Sequence, residues 1–299
     1  MEQEMQTRRS ETRLLRCGKY RLPLGKKTLL MGIINMTPDS FSHDGLLGDL
    51  PAAVARAKTL VAEGADLLDI GGESARAGFP PRRSEEEIAR ILPLIRALRE
   101  EVEVPLSVDT YKSQVAEAAL EAGASMINDI SGLRVDPKLA EVAARYRAAL
   151  VVMHIRGRPK ERQIAPRYQA LLPEICAFLQ ESIQMALRAG VLPDQIVVDP
   201  GIDFGKTTAQ SLEVLKRLAE LKNLGFPLLL APSRKTVIGE VLQVPVEDRL
   251  EGTAAVVAYG VTQGVDILRV HEVKAMRRVV RMVEAILQGE EYGRSGQGG

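Results

Sequence analysis

Eight short apolar runs recur along the chain, and a segment with helical periodicity follows each of them. Because the runs are continuously apolar, they predict strands buried on both faces, as in a parallel sheet. Parallel neighbours need a crossover, which the helical segments supply. The predicted strands are Leu29–Met36, Leu67–Gly71, Leu106–Thr110, Met126–Ile130, Leu150–His154, Ile196–Pro200, Leu228–Pro232 and Ile267–His271. The predicted helices are Leu50–Glu63, Ser84–Glu100, Ser113–Ala122, Pro137–Tyr146, Tyr168–Ala189, Ala209–Leu224, Asp248–Thr262 and Val273–Leu287.

Eight strand–helix repeats predict a single-domain α/β fold, the (β/α)₈ TIM barrel, over residues 28–288. A doubly wound open sheet is the alternative, but no Gly-x-Gly-x-x-Gly turn follows the first strand. Residues 1–27 form an N-terminal extension whose segment Leu14–Leu24 predicts a β-hairpin, either a lid under the barrel or an edge ribbon. The Gly-rich residues 289–299 predict a flexible tail.

Helix ends carry recognisable signals. Pro51 suits a first helical turn, and Ser84 with Glu87 three residues later is the pattern of a capping box. Glycines follow five of the predicted helices, where a left-handed cap is expected. They are Gly64, Gly123, Gly190, Gly225 and Gly264.

Composition excludes several classes of protein. The 299 residues carry a net charge of +1, which does not suggest a nucleic-acid binder. Cys17 and Cys176 are too few for a disulfide framework and are expected to be reduced thiols. No apolar run is long enough to span a bilayer, and the charged start is unlike a signal peptide. A cytoplasmic enzyme is therefore expected.

Polar residues stand at the predicted strand ends, whereas the strand bodies are nearly pure Val, Ile, Leu and Met. In an eight-stranded barrel the carboxyl ends of the strands share one face, so these side chains are expected to line one cup. They are Asn35, Asp69, Asp109, Asn128, Asp129, His154, Asp199, Ser233, Arg234, Lys235, Arg269 and His271.

Arg269 and His271 lie two residues apart on the last strand, so their side chains point the same way. Together they suit an anion, because barrels commonly hold phosphate after the last two strands. An internal salt bridge to Asp266 or Glu272 is the alternative. Asn35 offers an oxygen that could help to hold a hydrated Mg²⁺ bound mainly by phosphate, or it could cap its loop.

Asp109, Asn128, Asp199 and Lys235 form a second set. Carboxylates and a carboxamide can pair with the ring and amino N–H groups of a planar heterocycle, and a lysine can donate to its carbonyl. A structural ion-pair network remains the alternative. No Gly-x-Ser-x-Gly elbow and no Cys–His spacing of a known nucleophile is present. The chemistry is therefore expected to rest on positioning and electrostatics.

Five segments, in order, resemble the dihydropteroate synthase family over residues 27–286, nearly the whole chain. They are Met31-Gly-Ile-Ile-Asn-Met-Thr-Pro-Asp-Ser-Phe-Ser, Asp69-Ile-Gly-Gly-Glu-Ser, Asp199-Pro-Gly-Ile-Asp-Phe-Gly-Lys, Ser233-Arg-Lys and Arg269-Val-His. The resemblance implies a transferase that joins 7,8-dihydropterin-6-ylmethyl diphosphate to 4-aminobenzoate and releases diphosphate. It further implies an SN1-like substitution, Mg²⁺ as cofactor and a homodimer.

The resemblance also implies roles for individual residues. The pterin set is Asp109, Asn128, Ile130, Met153, Asp199 and Lys235. The diphosphate set is Asn35, Arg269 and His271, with Asn35 as the Mg²⁺ ligand. The aminobenzoate set is Phe41, Arg76, Phe204 and Ser233. The residues expected to carry the chemistry are Asp199, Lys235, Arg269 and His271.

The chain departs from the family pattern at four positions. Ala75 and Ala77 replace a threonine and a proline in the second loop, His43 is an extra residue in the first, and Asp203 stands where glycine is usual. These departures bear on the aminobenzoate site more than on the pterin site. Two alternatives share the heterocycle pocket: a pterin-binding methyltransferase and a non-catalytic pterin-binding paralogue.

Overall fold

The computed structural model describes residues 13–37, 46, 48–74, 81–161 and 166–289. The first twelve residues and residues 290–299 of the predicted tail therefore lie outside it. In the ranges that it covers, no helix is both long and apolar enough to cross a membrane.

A ring of eight parallel strands forms the centre of the molecule. The strands are β3 (Leu29–Asn35), β4 (Leu67–Gly71), β5 (Leu106–Asp109), β6 (Met126–Asp129), β7 (Ala149–Met153), β8 (Ile196–Asp199), β9 (Leu229–Leu230) and β10 (Ile267–Val270). Their order is β8-β7-β6-β5-β4-β3-β10-β9, and a parallel bridge between Val198 and Leu228 joins its two ends. This closure confirms the (β/α)₈ barrel over the open sheet. The predicted strand Leu228–Pro232 was too long, since β9 has only two residues.

Side chains alternate between two layers along each barrel strand. On β3, Leu29 and Met31 pack inside the barrel, whereas Leu30 and Ile34 pack outward among the helices. Both layers are almost solvent-free, with each of these four side chains at most 1% exposed. The strands therefore have apolar bodies, and polar side chains can reach solvent only at their ends.

The N-terminal hairpin closes the end of the barrel where the strands begin. It consists of β1 (Arg13–Cys17) and β2 (Tyr20–Leu24), paired antiparallel. Leu15, Cys17 and Leu24 join the interior barrel cluster. The Cys17 thiol donates to the Ser125 carbonyl at 3.2 Å, and burial raises its pKa to about 12. The hairpin is thus confirmed, as a lid rather than an edge ribbon.

Helices surround the barrel. They are α1 (Leu50–Ala62), α2 (Ser84–Glu101), α3 (Ser113–Ala122), α4 (Lys138–Arg145), α5 (Leu171–Arg188), α6 (Thr208–Lys216), α7 (Leu218–Leu221), α8 (Thr236–Leu242), α9 (Leu250–Thr262) and α10 (Val273–Gln288). Short 3₁₀ turns cover Pro193–Gln195, Lys222–Leu224 and Val246–Asp248. The predicted helix Ala209–Leu224 is interrupted at Arg217, and α8 was not predicted at all.

Most of the predicted helix ends agree with the structure. Pro51 lies in the first turn of α1, and the five predicted cap glycines all have positive φ. The capping box at Ser84 was wrong. Ser84 is already the first residue of α2, and the Glu87 carboxylate turns inward to accept from Lys112 at 2.7 Å. The pairing of a buried acid with a distant lysine therefore replaces a local cap.

Candidate active site

One cavity of about 560 Å³ opens at the carboxyl ends of the barrel strands. Every described residue that was predicted to bind a substrate lines it, although these residues lie on or after seven different strands. They are Asn35, Asp109, Asn128, Ile130, Met153, Asp199, Phe204, Ser233, Lys235, Arg269 and His271. Phe41 and Arg76 lie outside the described residues, as do His43, Ala75 and Ala77.

Arg269 bridges two carboxylates at the base of the cavity. Its Nε donates to Asp69 at 2.6 Å and its Nη2 to Asp109 at 2.9 Å. Arg269 pairs with neither of the carboxylates considered in the sequence analysis. Asp266 pairs with Arg13 at the opposite end of the barrel, and Glu272 pairs with Arg234. Arg269 is thus both an ion-paired residue and part of the cavity wall. The two carboxylates hold its guanidinium in one orientation.

Asp69 supports the cavity from beneath. Its side chain is fully buried, and its Oδ2 accepts both from Arg269 and from the Asn128 amide nitrogen at 2.9 Å. Since a carboxylate only accepts, this contact fixes which end of the Asn128 carboxamide is the nitrogen. Asp69 therefore orients two cavity side chains without lining the cavity itself.

The carboxyl group of Asp109 has a strongly shifted pKa. Burial raises its pKa to about 7, the Arg269 charge opposes that rise, and Asp69 reinforces it. At neutral pH both protonation states are therefore populated. A ligand that donates hydrogen bonds to Asp109 would favour the ionised state.

Asp199 and Lys235 form the opposite wall. Burial raises the pKa of Asp199, partly offset by the Gly201 amide, which donates to its Oδ1 at 2.7 Å. Burial lowers the pKa of Lys235, against the nearby charge of Asp203. The Lys235 ammonium lies 4.2 Å from the centroid of the Phe204 ring, a cation–π distance. One acid and one base thus line the same cavity, each close to groups of opposite charge.

An apolar patch completes the wall between these polar groups. Ile130, Met153 and Ile155 form a small cluster, and the ring of Phe204 packs against it. Apolar side chains that lie between hydrogen-bonding side chains suit a flat ligand whose faces are apolar and whose edge is polar.

His271 and Ser233 are linked at the outer side of the cavity. The distance from His271 Nδ1 to Ser233 Oγ is 2.8 Å, and the backbone amide of His271 also donates to this hydroxyl at 3.3 Å. His271 is 8% exposed and Ser233 is 6% exposed. The two residues, one predicted for the diphosphate and one for the aminobenzoate, are therefore direct neighbours.

Four of the polar residues at the strand ends do not line the cup as predicted. Asp69 lies beneath it, and Asp129 turns away to accept from the amides of Ser131 and Leu133. The ring of His154 packs edge-on against an aromatic ring, and burial lowers its pKa to about 2. Arg234 pairs with a carboxylate outside the cavity. Adjacent residues on a strand face opposite ways, so Asp129 faces away from the side on which Asn128 lines the cavity.

Lys206 is a cavity residue to which the sequence assigned no role. Its ammonium donates to the Gly201 carbonyl at 2.7 Å and to the Phe204 carbonyl at 3.2 Å, and it lies 2.8 Å from His154 Nδ1. Burial lowers its pKa to about 7, against the charge of Asp199. Lys206 belongs to a quoted motif, but nothing in its spacing indicated that it ties this loop together.

Asp203 caps helix α8. It has a left-handed φ of 69°, and its carboxylate accepts from the amides of Thr236 and Val237. A carboxylate at the start of a helix satisfies amides that have no partner within the helix. The acid in place of the usual glycine thus has a local structural reason.

The position of Asn35 suits an ion that arrives with a phosphate ligand. A methyl group placed on Gly71 would lie 3.8 Å from Asn35 Oδ1 and 3.9 Å from Asp109 Oδ2, so the two oxygens face the same space. Within the described ranges, no three His, Cys, Asp or Glu side chains gather into a metal cluster. Carboxamide and carboxylate oxygens are the type of donor that Mg²⁺ prefers.

Known proteins resemble this chain in both sequence and fold. Residues 31–271 match the family model described as pterin binding enzyme, so fold and site define a pterin-binding barrel enzyme. The dihydropteroate synthase of Synechocystis is 45% identical over 270 residues, covering 90% of this chain and 93% of that protein. The chain therefore belongs to the dihydropteroate synthase family, which confirms the resemblance seen in the sequence.

Solved structures agree with this assignment. A dihydropteroate synthase from Clostridium difficile, in the presence of pteroic acid, has a TM-score of 0.82 at 45% identity and covers 89% of this chain and 99% of its own. The enzyme from Xanthomonas albilineans with 4-aminobenzoic acid has a TM-score of 0.86 at 39% identity, covering 93% and 100%.

Proposed function

We propose that this chain joins 7,8-dihydropterin-6-ylmethyl diphosphate to 4-aminobenzoate, giving 7,8-dihydropteroate and diphosphate, a step of folate biosynthesis. The proposal depends on one observation. Residues that can bind the polar edge of a heterocycle and residues that can bind an anion line the same cavity. Membership of the family also supports the proposal, as do the structures of relatives with pteroic acid and with 4-aminobenzoic acid.

The pterin ring occupies the inner part of the cavity in this proposal. Asp109, Asn128 and Asp199 present oxygens to its N–H groups, and Lys235 donates to its carbonyl and ring nitrogen. Ile130 and Met153 contact its face. Because Asp199 and Lys235 are shielded from bulk water, their interactions with the ring would be stronger than in water.

Diphosphate departure is the step that needs cations. As the C–O bond of the 6-methylene group breaks, negative charge grows on the leaving oxygen, and Arg269 and His271, which both line the cavity, would neutralise it. The methylene carbon becomes cationic and shares its charge with the electron-rich pterin. Asp199 stabilises this charge electrostatically, so an SN1-like path is favoured.

The arylamine then attacks the methylene carbon through its nitrogen lone pair. A C–N bond forms, and the nitrogen loses a proton, for which the released diphosphate is a sufficient acceptor. Phe204 and Ser233 form part of the aminobenzoate wall, and Phe41 and Arg76 are proposed for the remainder. No covalent enzyme intermediate is needed.

We also propose that Mg²⁺ accompanies the diphosphate, with Asn35 as its protein ligand. The ion would supply further neutralisation of the leaving group's charge. Asn35 would hold the Mg²⁺–diphosphate complex at the end of β3, and Arg269 lies on the neighbouring strand β10. The Asn35 carboxamide lines the same cavity as Arg269 and His271, which supports this placement.

A homodimer is proposed from the outer face of the last helices. Large apolar side chains are exposed there on α9 and α10: Leu250, Tyr259, Met282, Ile286 and Leu287. Exposed apolar patches commonly mark interfaces. Met282→Glu should convert a dimer into a monomer in light scattering, and a wild-type monomer would refute the proposal. A cytoplasmic location stays a prediction.

Turnover with purified protein tests the proposed reaction. Protein, both substrates and Mg²⁺ are mixed, and diphosphate release is followed with and without 4-aminobenzoate. Release that depends on the arylamine supports the synthase. Pterin binding without release would indicate a non-catalytic paralogue, and methyl transfer from a methylated folate would indicate the methyltransferase.

A further inference from the structure

One peptide group, between Lys235 and Thr236, is held at both ends by charged side chains. The Lys235 carbonyl accepts from Arg249 Nη1 at 3.3 Å, and the Thr236 amide donates to the Asp203 carboxylate. The carbonyl and the N–H of a trans peptide point in opposite directions, so the cation and the anion lie on opposite sides of it. Hydrogen bonds to charged groups are stronger than those between neutral groups. The backbone at Lys235 is thus fixed where the chain enters α8.

Asp203 is itself held in place by a residue of another helix. The hydroxyl of Ser211, which is fully buried on α6, donates to Asp203 Oδ1 at 3.4 Å and accepts from the Asp203 amide at 3.3 Å. Asp203 Oδ1 also accepts from the Val237 amide at 3.3 Å. Aspartate adopts a left-handed φ, here 69°, more readily than most residues. The carboxylate therefore joins the loop after β8 to α6 and to the start of α8.

Arg249 reaches the same peptide group across the surface of α8. Its Nη1 also donates to the Arg234 carbonyl at 2.9 Å, so the guanidinium binds two successive carbonyl groups. A methyl group placed on Gly239, in the middle of α8, would lie 2.2 Å from Arg249 Nη2 and 2.4 Å from its Cζ. Glycine at this position therefore leaves the space that the guanidinium occupies.

The Lys235 ammonium is the part of this arrangement that reaches the cavity. It lies 4.2 Å from the centroid of the Phe204 ring, and Phe204 follows Asp203 in the chain. Residues 203 and 204 thus contact residues 235 and 236 at two points, through the Thr236 amide and through the ammonium. Asp203 and Lys235 line the cavity, whereas Arg249 lies outside its lining. An effect of Arg249 on a ligand would therefore pass through the residues that it holds.

The charge of Asp203 also favours the ionised form of Lys235. Burial lowers the pKa of Lys235, and the Asp203 carboxylate is the first of the charges that oppose this change. The other charged groups that face Lys235 are Asp199, Asp109, Arg269 and Lys206. The two carboxylates act as Asp203 does, and the two cations act against it. The side chain that fixes the peptide group after Lys235 thus helps to keep the ammonium charged.

We propose that Asp203 and Arg249 are positioning residues for Lys235, holding the peptide group that follows it so that its ammonium is placed to bind the pterin. This inference rests on the proposed function, in which Lys235 donates to the pterin ring. It assigns to Asp203 and Arg249 a role in pterin binding that acts through Lys235 rather than through contact with the reacting atoms.

Binding of 6-hydroxymethyl-7,8-dihydropterin, followed by calorimetry, tests this role without the need for turnover. Two variants release the peptide group from opposite sides. Asp203→Gly removes the carboxylate and introduces a residue that adopts a φ of 69° without strain. Gly239→Ala displaces the Arg249 guanidinium and introduces a better helix former. Each should weaken binding by about threefold or more, because the ammonium is no longer held in one position. Unchanged affinity in either variant would refute the proposal.

The double variant shows whether the two residues act through the same group. Because each single change releases one shared peptide group, the combined loss of binding free energy should be smaller than the sum of the two single losses. A fully additive loss would indicate separate routes to the ligand and would contradict the proposal. Asp203→Asn keeps an oxygen that accepts from an amide, so it should bind the pterin more tightly than Asp203→Gly. Equal affinities would exclude the hydrogen bond as the cause.

Asp49→Gly is the matched control for a lost helix cap. The Asp49 carboxylate caps α1 by accepting from the Ala52 amide at 2.9 Å, and Asp49 lies outside the cavity lining. The variant should bind the pterin as the wild type does. A loss equal to that of Asp203→Gly would mean that capping in general explains the effect, and the proposal would then be wrong.

The two proposals can fail separately. Wild-type protein that does not bind the pterin would refute the proposed function, and this inference with it. Wild-type binding combined with unaltered affinity in Asp203→Gly and Gly239→Ala would refute the inference alone.

Discussion

Arg269 is the residue whose removal should disturb the site most. It bridges Asp69, whose side chain is fully buried, and Asp109, whose side chain is 17% exposed. In Arg269→Met both carboxylates lose their charged partner. Breaking a buried pair in this way costs about 3–5 kcal/mol of folding free energy. At about 2 °C per kcal/mol for a domain of this size, the melting temperature should fall by about 6–10 °C.

The loss should depend on pH in a definite direction. Burial sets the pKa of Asp109 at about 7 in spite of Arg269, whose charge lowers it. Without Arg269 that pKa rises further. Below about pH 7 the Asp109 carboxyl is protonated in both folded proteins, so this carboxyl adds little to their difference. Above pH 7 it ionises in the wild type beside Arg269 but resists ionisation in the variant, so the destabilisation grows with pH.

Thermal unfolding at pH 6 and pH 8.5 measures both effects. Arg269→Lys is the control for charge, because an ammonium cannot span two carboxylates as the guanidinium fork does. It should be less destabilised than Arg269→Met. Adding Asp109→Asn to Arg269→Met should recover part of the loss, since one unpaired carboxylate is removed. A loss below about 2 °C at pH 8.5, or one that shrinks as pH rises, would refute the assumed pairing.

Three further predictions concern single residues. Asp199→Asn should fold normally and lower turnover by about a hundredfold or more, since it removes charge stabilisation aimed at the cationic methylene; unchanged turnover would exclude Asp199 from the chemistry. The affinity for 6-hydroxymethyl-7,8-dihydropterin, measured by calorimetry, should rise with pH up to about 7 as Asp109 ionises and then level off. Asp109→Asn should reduce this dependence of affinity on pH. An equal dependence in the variant would contradict the assignment of Asp109 as a pterin ligand. Gly201→Ala should abolish folding or lower the melting temperature sharply, because the new Cβ would lie 1.9 Å from the His154 carbonyl oxygen. Gly225→Ala is the control: its Cβ would have nothing within 4 Å, so the change should cost only about 1 kcal/mol of folding free energy for the positive φ. Equal losses of melting temperature in circular dichroism would contradict the steric reason.

The sequence revealed the barrel because its periodicity is strong. Eight continuous apolar runs leave few alternatives, and strand ends in a barrel must share one face. The convergence of Asn35, Asp199, Lys235 and Arg269 follows from that geometry and from the motifs.

Contacts between distant residues could not be predicted in the same way. Arg269 was expected to pair, if at all, with Asp266 or Glu272, its neighbours in the chain. It pairs instead with carboxylates 160 and 200 positions away. Sequence spacing reports only local neighbours, whereas the barrel places β10 beside β3, and β4 and β5 are the next strands around the ring.

Short elements and orientations were also beyond the sequence. Helix α8 has seven residues, too few for a clear periodic signal. Asn128 and Asp129 are adjacent polar residues, and only the pleat of β6 decides that the first lines the cavity. Glu87 resembles a capping residue locally, but its lysine partner lies 25 positions away.

A crystal structure of the protein with pteroic acid, diphosphate and Mg²⁺ would show whether the two groups of residues bind one substrate in one cavity. The edge of the pterin ring should lie within about 3.2 Å of Asp109, Asn128, Asp199 and Lys235. The diphosphate should contact Arg269 and His271 in the same cavity. A pterin ring bound elsewhere, or a diphosphate on a different face of the barrel, would contradict this prediction.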